Sequence, residues 1–323
     1  MPLPTSQDLH VNSLLTNLSV QFINAPTKFV SSQVFPVVPV NKQTDIYAVF
    51  DRGDFLRDEA QPRSPGDESA GGGYRVDTSN TYSCQVYAFH KDVPDEIRNN
   101  YDQPFDPDRN ATQFLTQKRQ LREEVEWATR FFTTGIWTGS TTATDLVAGT
   151  DFTAWDDAAS DIVQIIDDQA ESIEGATAYY PNTLVLNRKG WNSMKNHPDI
   201  VDRVKHVSDG PVTTAIVAKL LGLERIIVGA SVKNTAQEGA TASVSYIFGN
   251  HALLCYAAPV AAVEMPSAGY TFRWTGMDGS QGGAAISTFR MDWRKQDRHE
   301  IEFAFQHKTI STIMGVFFQN VAS

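Results

Sequence analysis

Two stretches of alternating apolar and polar residues, 44–57 and 74–90, flank a polar connection, and this arrangement limits the fold more than any other feature of the chain. The first stretch carries Ile46, Ala48 and Phe50 on one face and Phe55 beyond Gly53. The second carries Tyr74, Val76, Tyr82, Cys84, Val86, Ala88 and His90 at even positions. A period of two marks a strand with one covered face. Between them, Asp58 to Gly73 holds two prolines and four glycines. As one antiparallel hairpin, arms of about 15 residues each would extend on the order of 50 Å. A two-stranded ribbon is marginal on its own, so one that outruns the body is expected to reach another molecule. A surface flap is the plainer alternative.

Ahead of this ribbon the chain shows little periodicity. Short apolar clusters (Leu14-Leu15, Phe22-Ile23, Phe29-Val30) lead to a proline-punctuated run from Phe35 to Val40, and prolines at 26, 36 and 39 exclude a continuous helix. An extended, half-apolar arm has to lie across its own domain or a neighbouring subunit. After the ribbon, Asp106-Pro107-Asp108 predicts a helix start. Phe114, Leu115, Leu121, Val125, Ala128, Phe131 and Phe132 then predict one apolar face over about 25 residues, roughly 40 Å of rod. Lys118, Arg119, Arg122, Glu123, Glu124 and Glu126 are placed on the wet face. A second helix is expected from about Asp156 to Glu174, with Gly175 as its stop. Short buried strands follow at Thr183–Leu186 and Arg225–Val228, with helical stretches over 190–206 and 213–221 between them. Strands at 243–248 and 253–257 complete a mixed α/β unit. Four further alternating segments, 270–275, 286–292, 300–306 and 314–318, predict a closing antiparallel sheet with one wet face.

The chain's 323 residues can bury a sizeable core. Its net charge of −11 argues against a protein that grips nucleic acid by neutralising phosphates. Nine acids and no Lys or Arg lie between Thr141 and Asn187. They read as a solvated helix face, or as a surface that avoids polyanions or docks a basic partner. No run of about 18 apolar residues is present, and no secretory signal pattern precedes residue 20. Cys84 and Cys255 read as buried thiols of a protein made in a reducing compartment, with a disulfide as the alternative.

Catalytic patterns are missing: no nucleophile elbow, no phosphate-binding loop, no His-Glu-x-x-His and no Cys-x-x-Cys. Seven histidines share no metal-ligand spacing. Asp92 with Asp95-Glu96 is more simply a turn cap than an acid–base pair. No cofactor or metal site is expected. The basic residues placed to meet DNA are Arg109, Lys118, Arg119, Arg122 and Arg130, which acids accompany, so only weak, sequence-blind contact is implied.

The order of features (extended arm, long hairpin, long helix, mixed unit, closing sheet) resembles the major capsid proteins of tailed phages, whose fold is shared with encapsulin compartments. Local segments carry the same resemblance: NTLVLN at 182–187, Trp191, NHPDIVDRV at 196–204, LLGLERIIV at 220–228 and YIFG at 246–249. The resemblance implies an α+β fold of the Hong Kong 97 phage type. It divides the chain into an N-terminal arm (1–43), an extended hairpin loop (44–90), a peripheral domain with a spine helix (91–144), an axial domain (145–262) and a closing peripheral sheet (263–323). It implies a non-enzymatic shell protein of the virion, built in the host cytoplasm from pentamers and hexamers of itself in an icosahedral lattice. Partners would be a separate scaffolding protein, a portal, a decoration protein, and packaged double-stranded DNA touched weakly. No membrane is involved. Some members cross-link a loop Lys to an Asn. The stretch from Asp51 to His90 has no Lys, so noncovalent reinforcement is expected, with Arg57, Asp58, Glu59, Arg63, Asp67 and Glu68 at the tip as contact residues. Gly53, Gly71, Gly72 and Gly73 are the expected hinges. An encapsulin-like cargo shell and an enzyme with an unrecognised site remain the competing readings.

Overall fold

Phe29, Val30, Val34 and Phe35 are too closely spaced to share one strand face, and all four are buried in the computed structural model of the chain. The structure describes residues 24–100, 106–205, 211–262, 265–276 and 284–322. Pro26–Lys28 makes one 3-10 turn, and the chain then crosses the interior to β1 (Val37–Val40). Pro36 and Pro39 keep this stretch extended, and β1 pairs in parallel with residues 271–274 at a sheet edge, where a proline is tolerated. Residues 29–40 of the expected arm are therefore packed on their own chain. The earlier apolar pairs Leu14-Leu15 and Phe22-Ile23 lie outside the described residues.

The ribbon is shorter than its alternation suggests. β2 (Thr44–Ile46) and β3 (Val49–Phe50) lead to a one-turn helix, α1 (Arg52–Phe55), and the chain returns through β4 (Val76–Asp77) and β5 (Thr81–Ser83). β2 pairs with β5 and β3 with β4. The return arm, expected to run to His90, ends at Ser83. The next strand, β6 (Gln85–Pro94), pairs over ten residues with residues 296–305. One unbroken period of two thus serves two sheets, with buried Cys84 at the junction. α1 replaces the strand expected through residue 57, because the Asp51 carboxylate caps the Gly53 amide at 2.8 Å.

After α2 (Asp95–Asn99), the long helix α3 spans 25 residues, Pro107–Phe131, started by Asp106, which accepts from the amides of Asp108 and Arg109. Its covered stripe differs from the expected one. Ala111, Leu115, Trp127 and Phe131 are buried, whereas Phe114 is 39% exposed. Glu123 and Glu124, assigned to the wet face, are buried as well. Glu123 accepts from Arg119 and Arg273, each at 3.0 Å. Glu124 accepts from the Val30 and Ser31 amides at 2.9 and 2.8 Å and from the Ser231 hydroxyl at 2.9 Å.

β7 (Leu146–Val147) precedes α4 (Ile162–Thr177), which starts at the Asp161 cap rather than at Asp156 and runs through Gly175 to a left-handed Ala178. Then come β8 (Thr183–Asn187), α5 (Arg188–Asn196), α6 (Pro198–Val204), α7 (Thr214–Leu220), β9 (Arg225–Gly229), the small hairpin β10 (Val232–Asn234) and β11 (Val244–Tyr246), and β12 (Ala252–Cys255). The closing strands are β13 (Gly269–Trp274), β14 (Ala284–Met291), β15 (Gln296–Thr309) and β16 (Gly315–Gln319).

Two five-stranded sheets result. One has the order β7-β16-β12-β8-β9; in the other β15 is flanked by β13 and β14 on one path and by β6 off it, with β1 outside β13. Every residue of β8 is buried, so the first sheet is covered on both faces. Leu184 and Leu186 meet the α4 face (Ile162, Ile166, Ile173), whereas Val185 joins Trp127, Phe131 and Phe35 on the opposite side. Farther along α3, Leu115 packs on Ile301, Phe303 and Phe305 of the second sheet. One helix therefore supports both sheets.

Gly139 marks the tightest crossing. A Cβ there would lie 2.6 Å from the Gly315 carbonyl oxygen and closer still to that of Ile313. Gly139→Ala is expected to destabilise the chain by about 3 kcal/mol, the upper end of overpacking costs, measured as a lowered midpoint in urea at unchanged slope.

Candidate assembly surface

The ribbon is fixed at its base and open at its end. Tyr82 stacks on Phe272 at 4.7 Å between centroids, and Tyr47 lies 5.7 Å from the same ring. Above α1 the two arms are clamped by Asp54, whose carboxylate accepts from the Arg75 amide at 2.9 Å and its Nε at 3.1 Å, with Arg57 at 3.4 Å. Arg75 also pairs with Asp51 at 2.6 Å. Hydrogen bonding from Arg75 holds the Asp54 carboxyl below the usual carboxylate range. At the tip, Arg52 donates to the carbonyl of Ala176 near the end of α4, so the tip does touch its own body.

Of the six tip residues expected to make contacts, Arg57 and Glu59 pair with each other at 2.9 Å. Asp58, Arg63, Asp67 and Glu68 are exposed, and among the described residues their side chains make no hydrogen bond or ion pair, although the Asp67 amide donates to the Ser64 carbonyl at 3.1 Å. Every residue from 60 to 79 is exposed. Of the expected hinge positions, Gly53 sits inside α1, Gly71 and Gly73 are in open space, and Gly72 lies beneath the Glu59 carboxylate, where a Cβ would collide. The left-handed turn of the loop is at Gly66, with φ +91°.

Beside these charges lies an apolar surface. Phe50, Phe55 and Tyr74 form a ring triangle with centroids 5.4–5.8 Å apart. Phe55 is 61% exposed, Leu56 60% and Tyr74 63%. In the sequence Phe55-Leu56 closes the Asp51-capped turn, and Tyr74 opens the return arm.

Further exposed apolar side chains lie on edge strand β14 and its turn: Ile286 and Phe289, on opposite faces of the strand, and Trp293, stacked by Arg294 at 4.3 Å. Nearby acids are engaged in ion pairs rather than poised for proton transfer. Asp92 accepts from Arg298 at 2.7 and 2.9 Å, and Asp95 accepts twice from Arg290 at 2.6 Å. Those arginines hold both carboxyls below their ordinary range. Arg98 ties α2 to Asp108 at 2.7 Å and to Asp297 at 2.6 Å, fastening the start of α3 to the sheet. Among the described residues no cluster is placed to hold a metal ion, and no helix is long and apolar enough to cross a membrane.

No family model matches the chain. A curated relative, the major capsid protein of Burkholderia phage BcepMu, is 26% identical over 275 residues, covering 82% of this chain and 84% of the relative. Among solved structures, a phage-related protein from Bordetella bronchiseptica RB50 superposes with a TM-score of 0.68 at 20% identity, over 92% of this chain and 94% of the other. The capsid of cyanophage P-SCSP1u gives 0.63 at 12% identity, over 97% and 93%. The chain has the tailed-phage capsid fold. The encapsulin of Synechococcus elongatus PCC 7942 gives 0.54 at 11% identity, over 100% and 98%, as expected of a shared architecture.

Within this capsid fold four of the nine acids of the acidic segment satisfy backbone amides. Asp145 accepts from the Gly135 amide at 2.7 Å, Asp151 from Val147 at 2.8 Å, Asp157 from Ala159 at 3.0 Å, and Asp161 caps α4. Asp156, Asp167, Asp168, Glu171 and Glu174 form the exposed remainder. The basic face of α3 is partly neutralised in place, by Arg119 with Glu123 and by Arg122 with Glu126. Cys84 and Cys255 are free and buried, and burial pushes their thiols up to about 11 and about 12.

Proposed function

We propose that this chain is the major capsid protein of a tailed phage, a structural subunit that assembles with copies of itself into the icosahedral shell around the genome. The relationship to the phage BcepMu capsid protein over 275 residues carries this reading, and the full-length capsid fold supports it. The physical basis is repetition. Each subunit presents an exposed ring cluster at the end of its ribbon, and burying a large apolar side chain contributes about 1.5–3 kcal/mol. Surface ion pairs from Asp58, Arg63, Asp67 and Glu68 add at most about 1 kcal/mol each. In a closed lattice such increments recur at every copy, and simultaneous engagement multiplies them. With no Lys between Asp51 and His90, the contacts at the ribbon are noncovalent.

In this reading residues 145–262 gather at five-fold and six-fold centres while the ribbon bends to suit each setting, with Gly53 and Gly71 to Gly73 absorbing the change. A scaffolding protein, a portal, a decoration protein and weakly held double-stranded DNA are the partners, and assembly takes place in the host cytoplasm. Electron microscopy of the expressed chain, alone and with candidate scaffold, tests the reading. Closed shells are expected, with copies superposed on α3 diverging at the glycines. Only discrete small oligomers in both arms would reject the shell, and a hairpin that superposes as tightly as the core would reject the hinge. The shared fold also admits a cargo compartment. Shells from infected cells that carry DNA and a tail exclude it.

A further inference from the structure

Residues 24–36 form a tether between the two sheets, and we infer that Glu124 is the fastening by which this strap sets the angle between them. Three covalent connections pass from one sheet region to the other: 132–145, 256–268 and 310–314. The strap adds a fourth link, running covalently into β1 of the second sheet and held to the first unit only by hydrogen bonds and packing. It starts on the hairpin of the first unit, where the Asn24 side chain donates to the Val232 carbonyl at 2.9 Å and accepts from the Val232 amide at 3.2 Å. It is then held by Glu124 of α3, and farther on Arg225 of β9 donates to the Val34 carbonyl at 2.9 Å. It ends on the second sheet, where the Thr271 amide donates to the Pro36 carbonyl at 3.1 Å and the β1–β13 ladder begins.

Glu124 joins strap, helix and hairpin at one carboxylate. Its carboxylate is fully buried and accepts from two strap amides and from Ser231, which leads into the first unit's hairpin. A buried carboxylate is costly unless donors surround it. Here the donors come from segments 93 and 107 residues away, so none of them converges unless strap, helix and hairpin are together. Removing the carboxylate strands three donors at once and loosens the strap as a unit. Val30, Val34 and Phe35 pack between α3 and the first sheet, so a loosened strap also frees the contact on which the two sheets pivot.

The test uses the full-length chain before shell assembly, spin-labelled at Glu171→Cys on α4 and Ser287→Cys on β14, both exposed. The native thiols are buried and do not compete. Pulsed dipolar spectroscopy of the parent is expected to give one narrow distance distribution. Glu124→Ala should broaden it and shift its mean, with exchange of the Val30 and Ser31 amides at least about tenfold faster. Glu124→Gln, which keeps an acceptor oxygen, should fall between. Faster amide exchange with an unchanged distance distribution overturns the inference, and so does unchanged exchange. If Glu124→Ala does not fold, Asn24→Ala and Ser231→Ala are read by the same two measurements and the same criteria.

Discussion

A chain lacking residues 58–73 is expected to fold normally and to form no shells. The excised segment contributes nothing to any of the hydrophobic clusters, and its residues from 60 onward are exposed. The cut ends are close, since Arg57 and Arg75 reach the same Asp54 carboxylate, so a short glycine bridge can close the gap. A point variant isolates the apolar contribution. Phe55→Ser with Tyr74→Ser keeps the loop and its charges. Exposed positions of this kind usually alter stability by about 0.5 kcal/mol or less each. If the ring triangle is what neighbouring copies bury, the same pair removes several kcal/mol per subunit from the lattice and assembly is lost outright. Thermal melting should give near-parent midpoints for both variants, and sedimentation and micrographs should show no shells. Parent-like shells from either variant would refute the role given to that part of the ribbon.

What the sequence makes legible is local. The start of α3 is written in Asp106-Pro107, and the buried strands β8 and β9 in short apolar runs between turn residues, because capping and periodicity depend on near neighbours. The failures are nonlocal. Glu123 and Glu124 look like wet-face acids until Arg273, Val30 and Ser231 arrive from 94 to 150 residues away. An alternating segment does not say which sheet it joins, so the return arm of the ribbon and β6 read as one strand, although their partners are β2 and β15. Gly175 looks like a helix stop, yet α4 passes through it and ends at a left-handed Ala178, where the chain turns to bury β8. At the ribbon tip the sequence shows only part of the surface. Charges are conspicuous in sequence, whereas the exposure of Phe55 and Tyr74 becomes apparent only when the fold leaves them uncovered.

Lowering the pH from 7 to 5 is expected to cost the unassembled chain about 2 kcal/mol of stability through His307 alone. The ring is buried beside Phe131 and Phe305. Its Nε2 lies 3.2 Å from the Glu123 carbonyl oxygen, which can only accept, so Nε2 carries the proton and Nδ1 accepts from the Thr271 hydroxyl at 2.9 Å. Both nitrogens of the neutral ring are thus satisfied. Burial, assisted by the nearby charges of Arg273 and Arg130, pushes its pKa down to about 3. Above pH 6.5 the ring is neutral in folded and unfolded chains alike. Between pH 6.5 and about 3 the unfolded chain binds a proton that the folded chain excludes, so stability falls by about 1.4 kcal/mol per pH unit across that window. The carboxylates of Asp92, Asp95 and Asp297 behave in the opposite sense. Their pKa values are depressed by arginine partners, so their contribution is complete above about pH 4 and lost only below it. Burial raises the Glu124 and Asp167 carboxyls toward this interval, so the difference between the parent and a His307 variant, rather than the parent alone, reports on this ring. Urea titrations of the parent and of His307→Gln at both pH values separate this ring from His251, whose pKa is also lowered by burial and which is present in both chains. The parent should lose about 2 kcal/mol more than the variant over the interval; equal losses would mean that the folded state accommodates a protonated ring between Thr271 and Glu123.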